Sequence, residues 1–342
     1  MRILLVTQMW PSPAHPDLGS FLVPVARELE ELGNEVEVAA ISRRGGPRSD
    51  YARLARDATG RARRRRPDVV FAHFLFPTGA AGALAARVAG APLVVMAHGQ
   101  DVANLGHIRG VTAATRLIVR RSTRLIANSG WLADRLAERI PAARPKLEIA
   151  DCGVDLDTFV PRPAAPARRE LDWNGDGPAF LCVGSLIERK NVVRLADAFE
   201  RFGRGRLAFV GDGPLRGVLE GRAGVRVSGR IPQAEVPRWI AACDVLCQPS
   251  LIEPFGQATL EGMAMQRSVV ATTIGGPPEF VPPEAGVLVD PHDTAGITAA
   301  LERAAELPAP NSAARAAAAE HDVRRQAARM AGVLERAVAG GS

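Results

Sequence analysis

Twelve short apolar runs, rich in Val, Ile and Leu and separated by amphipathic stretches, constrain this chain more than any other feature. Runs of roughly 4–8 such residues bounded by turn signals are strands buried on both faces, and these belong to parallel sheets joined by crossover helices. Six lie in the first half: RILLVTQ from Arg2, EVEVAAI from Glu35, DVVFAHF from Asp68, PLVVMAH from Pro92, RLIANS from Arg124 and KLEIA from Lys146. Six more occupy the second: AFLCVGS from Ala179, LAFVGDG from Leu207, VRVSG from Val225, DVLCQPS from Asp244, SVVATTI from Ser268 and GVLVD from Gly286. Each half reads as a doubly wound α/β sheet.

At 342 residues the chain exceeds the ~250–300 at which a single core stops growing, so we expect two domains. The first covers residues 1–160 and the second 179–322. Between them, FVPRPAAPARRELDWNGDGP at residues 159–178 is rich in Pro, Ala and Gly without periodicity, which suits a linker over 161–178. Beyond Asp290 the sequence is almost wholly helix-forming, and residues 323–342 are expected to form a helix that packs back on the first domain. Open parallel sheets bind ligands outside the carboxyl ends of their strands. Two such domains facing one another would place a cleft at those edges, so residues just after strands are the candidates for function.

Composition narrows the function classes. Although 47% of residues are hydrophobic, no apolar run approaches the ~18–20 residues of a membrane span. The opening MRILLVTQMWPSP carries a positive charge and an apolar run, but that run is shorter than the ~7–15 residues of a signal-peptide core and reads as a first strand. Cys152, Cys182, Cys243 and Cys247 form neither paired Cys-x-x-Cys motifs nor a cluster with histidines, so structural zinc and a disulfide scaffold are not expected and a cytoplasmic location is. The formal charge of +6 comes from arginine, part of it concentrated in GRARRRRPD at residues 60–68. That segment suits a solvated helix end or, alternatively, a patch for anionic lipid giving peripheral contact with the inner face of a membrane. One tyrosine and no aromatic-basic ribbon argue against a nucleic-acid-binding module.

The chemistry-bearing residues cluster after strands. Gly19 and Ser20 precede a helix expected from about Phe21 to Leu32, where a glycine would let backbone amides approach an anion, though it equally suits an ordinary turn. MAHGQDV from Met96 puts His98, Gly99 and Asp101 at the end of the fourth strand. After the seventh strand, Arg189 and Lys190 stand near a helix start, where two cations could neutralise a diphosphate. In EPFGQATLE, Glu253 lies on the loop after a buried strand, the helix begins near Gly256, and Glu261 sits inside that helix. Two carboxylates so placed are spaced along a ligand rather than paired on one bond. Ionised carboxylates accept hydrogen bonds from vicinal hydroxyls, so a sugar at one end and a ribose at the other would fit.

In this order, GVDLDTF, VGSLIERKN, GDGP, EPFGQATLEGMA and IGGPPE resemble the retaining, nucleotide-sugar-dependent glycosyltransferases of family four. Those enzymes have the GT-B fold, two doubly wound Rossmann-like domains facing a central cleft. The similarity covers nearly the whole chain, and its specific element is the pair of glutamates with a Pro-Phe-Gly turn after the first. The resemblance implies that Glu253, with the turn at Phe255, Gly256 and Gln257, holds the transferred sugar and that Glu261 binds the ribose hydroxyls. It further implies that Lys190 neutralises the donor diphosphate, that Gly19 touches those phosphates, that His98 contacts the transferred sugar and that Ile231 lies beside the base. Two positions depart from the family pattern. Ser185 stands in the diphosphate loop where an arginine is usual, leaving Arg189 to compensate. Asn191 stands where glycine is frequent, a substitution whose backbone geometry asparagine tolerates.

The same resemblance implies transfer of a hexosyl group from a nucleoside diphosphate sugar to an acceptor hydroxyl with retention, His98, Lys190 and Glu253 being the catalytic candidates. Cations and amide dipoles would stabilise the departing diphosphate, so neither a cofactor, a metal nor an Asp-x-Asp metal motif is expected. The acceptor is a glycan, a glycolipid such as a cell-envelope precursor, or a small molecule. It would be read by loops of the first domain, QMWPSPAHPD and the region from Asn104 to Thr115. Two other functions fit the same fold: a sugar-nucleotide epimerase, which needs further acidic and basic groups, and a catalytically impaired nucleotide-sugar-binding protein, motivated by Ser185.

Overall fold

The computed structural model describes residues 1–43 and 47–340; positions 341 and 342, the end of the expected C-terminal helix, lie outside the described residues. The chain divides into two compact units, Met1–Gly153 with the segment from Val323 onward, and Val154–Asp322.

The first unit holds a parallel sheet of β1 (Arg2–Thr7), β2 (Glu35–Ala40), β3 (Val69–His73), β4 (Leu93–Ala97), β5 (Arg124–Ala127) and β6 (Leu147–Ile149), in the order β2-β1-β3-β4-β5-β6. Every residue of β3 and β4 is buried, as continuous apolar runs require when helices cover both faces. On one face Leu4, Val6, Val70, Val95 and Leu125 pack with the helices Ser49–Arg65 and Thr78–Ala89. On the other, Ile3, Phe71, Met96 and Ile126 pack with the helix Leu22–Glu31 and the C-terminal helix Val323–Ala339. Within that last helix Val323, Ala327, Met330, Leu334 and Ala337 are buried at spacings of three and four residues, one apolar stripe laid on the sheet.

The second unit repeats the plan with β7 (Ala179–Val183), β8 (Arg206–Val210), β9 (Val225–Gly229), β10 (Val245–Gln248), β11 (Ser268–Thr272) and β12 (Gly286–Val289), all parallel and ordered β12-β11-β10-β7-β8-β9. The strand order reverses between β1 and β3 in the first sheet and between β7 and β10 in the second. At such a switch point neighbouring loops leave in opposite directions and open a crevice at the carboxyl ends.

The expected linker is corrected by the structure. Residues 161–178 belong to the second unit, which begins at Val154. Within them Ala164–Glu170 is a helix, Ala167 and Trp173 are buried, and the Trp173 ring lies 5.7 Å from that of Trp239. Arg168 fixes the segment by donating to the carbonyl of Ala242 at 2.8 Å and to the Asp244 carboxylate at 2.7 Å. A few apolar residues without periodicity suffice to seat a segment on a core, so Pro-rich composition misreads it. The expected first-domain limit at residue 160 likewise moves back to Gly153.

Candidate active site

In the second unit the loops after β7 and β10 flank the switch point and meet there. Lys190 closes a short 3-10 turn, Glu188–Lys190, and its Nζ stands 2.5 Å from Glu253 Oε2. Both side chains are largely buried, and the Ser250 hydroxyl donates to the same carboxylate oxygen at 3.0 Å. Burial pushes the Glu253 carboxyl up, but the charge and hydrogen bond of Lys190, the nearby charge of Arg189 and the Ser250 hydroxyl outweigh it and hold the group below its ordinary range. Arg189 Nη1 donates to the carbonyl of Ile252 at 3.1 Å, next to Glu253 in the chain. Ser185 is exposed on the same loop. Asn191 takes φ +57°, and its Nδ2 donates to the carbonyls of Pro249 at 2.9 Å and Pro291 at 2.7 Å. It therefore ties three strand-end loops together, which glycine could not.

The backbone of Glu253 is laced to the loop after β11: its N–H donates to Ile274 at 3.0 Å and its carbonyl accepts from Gly276 at 2.9 Å. A Cβ on Gly275, at φ +128°, would stand 1.9 Å from the Glu253 carbonyl oxygen, so only glycine permits this approach. Gly256, at φ +112°, then turns the chain into the helix Gln257–Ala264 and leaves the amides of its first turn unpaired within the helix. The Phe255 side chain is an anchor in the core, its ring 5.3 Å from Phe280 and 6.0 Å from His321. Glu261 is buried in that helix, and burial pushes its carboxyl up to about 8, opposed only by a hydrogen bond from Gln257. The expected ionised carboxylate is thus corrected: near neutral pH Glu261 is chiefly protonated and can donate as well as accept. Ile231, half-buried two residues beyond β9, packs against the core on the Trp239 side of the sheet.

The first unit holds the other two sequence candidates. Gly19, at φ +69°, passes so near Met9 that a Cβ would stand 2.5 Å from its carbonyl oxygen, giving this glycine a structural reason of its own. The helix after it begins at Leu22. His98 follows β4, and its Nε2 lies 3.0 Å from Nδ1 of His73, the last residue of the neighbouring β3. Burial drives His98 down to about 3 and His73 well below the ordinary histidine range, the latter helped by its neighbour. Asp101 accepts from the amides of Leu75, His98, Gly99 and Val102 at 2.8–3.1 Å, pinning the His98 loop to the end of β3. Sequence reading named Asp101 without a role and missed His73; the signal was two histidines ending adjacent strands, visible only once strand order was known.

An Asp-x-Asp string does occur, at Asp155-Leu156-Asp157. Asp155 is spent on a local turn, accepting from the amides of Asp157 and Thr158 and from the Thr158 hydroxyl at 3.0–3.2 Å. Among the described residues no group of three or more His, Cys, Asp or Glu side chains could hold a metal ion, and no helix is long and apolar enough to cross a membrane. The arginine segment is partly neutralised. Arg61 pairs with Asp57 and Glu37 at 2.9 Å, and Arg65 reaches Glu37 at 3.6 Å, while Arg63, Arg64 and Arg66 are exposed. With Arg2 and Glu35, the side chains of Glu37, Arg61 and Arg65 line a cavity of about 270 Å³ at the amino ends of β1 and β2, the edge opposite His98.

Comparison with known proteins agrees with this geometry. Residues 19–158 match the model described as Glycosyltransferase Family 4, and residues 177–306 that described as Glycosyl transferases group 1. The D-inositol 3-phosphate glycosyltransferase of Thermobispora bispora is 31% identical over 288 residues, covering 76% of this chain and 67% of that one. Among solved structures, sucrose-phosphate synthase from Thermosynechococcus elongatus superposes with TM-score 0.80 at 20% identity, over 99% of this chain and 100% of that one. Anabaena HepE in complex with UDP and glucose gives TM-score 0.76 at 21% identity, over 98% and 99%. With two parallel six-stranded sheets, these matched segments and that relative, the chain belongs to the family-four glycosyltransferases and has their GT-B fold.

Proposed function

We propose that the enzyme transfers a hexosyl group, with retention and without a metal, from a nucleoside diphosphate sugar to an acceptor hydroxyl. The observation that carries this is the Lys190–Glu253 pair at the carboxyl ends of β7 and β10, a buried cation and anion at the switch point of the second sheet. In the transfer, the bond from the anomeric carbon to the diphosphate oxygen breaks and one to the acceptor oxygen forms on the same face. The acceptor proton passes to the departing phosphate. Negative charge grows on the diphosphate, so groups aimed there lower the barrier if they are fixed beforehand. Lys190, Arg189 and the backbone amides at Gly256 and Gln257 take that role, with the amides at Gly19 and Ser185 on the same diphosphate.

Glu253 serves the transferred sugar. Its depressed pKa keeps it an anion, able to accept from two vicinal hydroxyls once Lys190 turns to the donor. Glu261 binds the ribose, Ile231 lies beside the base, and His98 contacts the sugar. The acceptor is a glycan or glycolipid precursor, and the exposed Arg63, Arg64 and Arg66 give peripheral attraction to an anionic membrane. The HepE complex with UDP and glucose supports including a uridine nucleotide among the donors tried.

The test is nucleotide release from UDP-glucose, GDP-mannose and ADP-glucose by the purified protein, with Glu253→Ala as control. Slow release from one donor, lost in the control, is expected. An epimerised donor in place of free nucleotide would assign an isomerase instead, and a panel in which no donor is either bound or cleaved would overturn the donor site.

A further inference from the structure

His73 stands outside every assignment made above, yet it is the side chain His98 touches. It ends β3, fully buried, with its Nδ1 3.0 Å from His98 Nε2 and its ring 4.4 Å from Phe71. Its other nitrogen, Nε2, is buried without a hydrogen-bond partner among the described residues. The His98 ring is further held by Phe74, 4.4 Å away, and Phe21, 5.6 Å away. With Nε2 turned inward to His73, the ring nitrogen left for substrate is Nδ1.

We propose that His73 is a positioning residue that sets the rotamer and tautomer of His98, on the reading that His98 contacts the transferred sugar. Two neutral imidazoles facing at hydrogen-bond distance share one proton, and its side fixes the other two nitrogens. If His98 donated, His73 would keep a buried Nε2–H with no acceptor, and orphaned buried N–H groups are the rarer kind of defect. The arrangement that avoids it has His73 Nδ1–H donating to His98 Nε2. His98 then carries its proton on Nδ1 and offers the sugar a hydrogen-bond donor as a neutral imidazole, because desolvation holds both rings below the ordinary histidine range. Asp101 completes the device through the backbone, holding the His98 and Gly99 amides at 3.1 and 2.8 Å.

Ring nitrogen NMR of the intact, ¹⁵N-histidine-labelled protein tests the pairing without any substitution. The resonances assigned to His98 through their loss in His98→Ala should report Nδ1 protonated and Nε2 bare; Nε2 protonation would overturn the assignment. Two variants test service to the reaction. His73→Leu should mix the His98 tautomers and lower turnover of the donor panel about tenfold, the rate equivalent of ~1.4 kcal/mol, with donor KM changed far less. His73→Asn, whose amide can still donate at the Nδ1 position, should restore most of it. A folded His73→Leu with unchanged turnover would overturn the role in catalysis. Full activity in His98→Ala would instead remove the sugar contact on which the role rests, while the NMR result on the pairing stands.

Discussion

Removing the Lys190 ammonium while leaving the Glu253 carboxylate tests whether the pair is as buried and as coupled as its geometry requires. Lys190→Met keeps the side-chain volume and deletes the charge. Breaking a buried ion pair at one partner costs about 3–5 kcal/mol, because the survivor is left desolvated and uncompensated. Arg189 and the Ser250 hydroxyl still face Glu253, so the lower end applies, about 3 kcal/mol. For a unit of this size each kcal/mol moves the midpoint by ~2–4 °C, so calorimetry at pH 7 should show the transition of the second unit about 6–12 °C lower. The pH dependence has a definite sign. In the native enzyme the Glu253 pKa is depressed, so the pair's contribution is present above the unfolded value and lost as pH falls through the folded one. Without Lys190, burial goes largely unopposed and the pKa rises; the variant's deficit is then largest near neutrality and shrinks on acidification. Lys190→Met with Glu253→Gln should recover most of the midpoint, since no buried charge is stranded. A single variant within about 2 °C of the native midpoint at pH 7, or a double variant as unstable as the single, would refute the reasoning.

Glu261 titrates in the opposite sense: its folded pKa of about 8 exceeds the ordinary value of 4.5, so stability falls as pH climbs through that interval, and Glu261→Gln should outlast the native protein in thermal scans at pH 9, with the advantage shrinking as pH falls and gone below the ordinary value. Gly275→Ala forces a side chain into φ +128° and onto the Glu253 carbonyl, so chemical denaturation should show a loss of at least about 1–3 kcal/mol, with donor binding lost alongside. Replacing the exposed Arg63, Arg64 and Arg66 by Gln should leave thermal stability unchanged within about 0.5 kcal/mol while lowering sedimentation with anionic vesicles; unchanged sedimentation would remove the membrane contact.

Much of this enzyme was legible in its sequence because the strongest signals were local. Eleven of the twelve strands lie within the apolar run that announced them and β8 begins one residue ahead of its run, at Arg206, since the central strands, buried on both faces, have no polar alternation to hide them. Lys190, Glu253 and the helix opening at Gln257 were found because strand-end loops carry chemistry whatever the order of the strands. Composition failed where tertiary contact overrode it. Residues 161–178 look like a linker, but Ala167, Trp173 and Arg168 find partners on Val236–Ala242 and Asp244, about 70 residues further along the chain. Glu261 could not be read as chiefly protonated, because its pKa depends on the burial of a helix face rather than on its neighbours in sequence. The same holds for His73. Two histidines 25 residues apart say nothing until β3 and β4 lie side by side and bring His73 Nδ1 to 3.0 Å from His98 Nε2. The sequence by itself determined which segments are strands and which loops carry charge. Only the tertiary structure decided which charges are buried together, because proximity and desolvation, and hence protonation, are properties of packing.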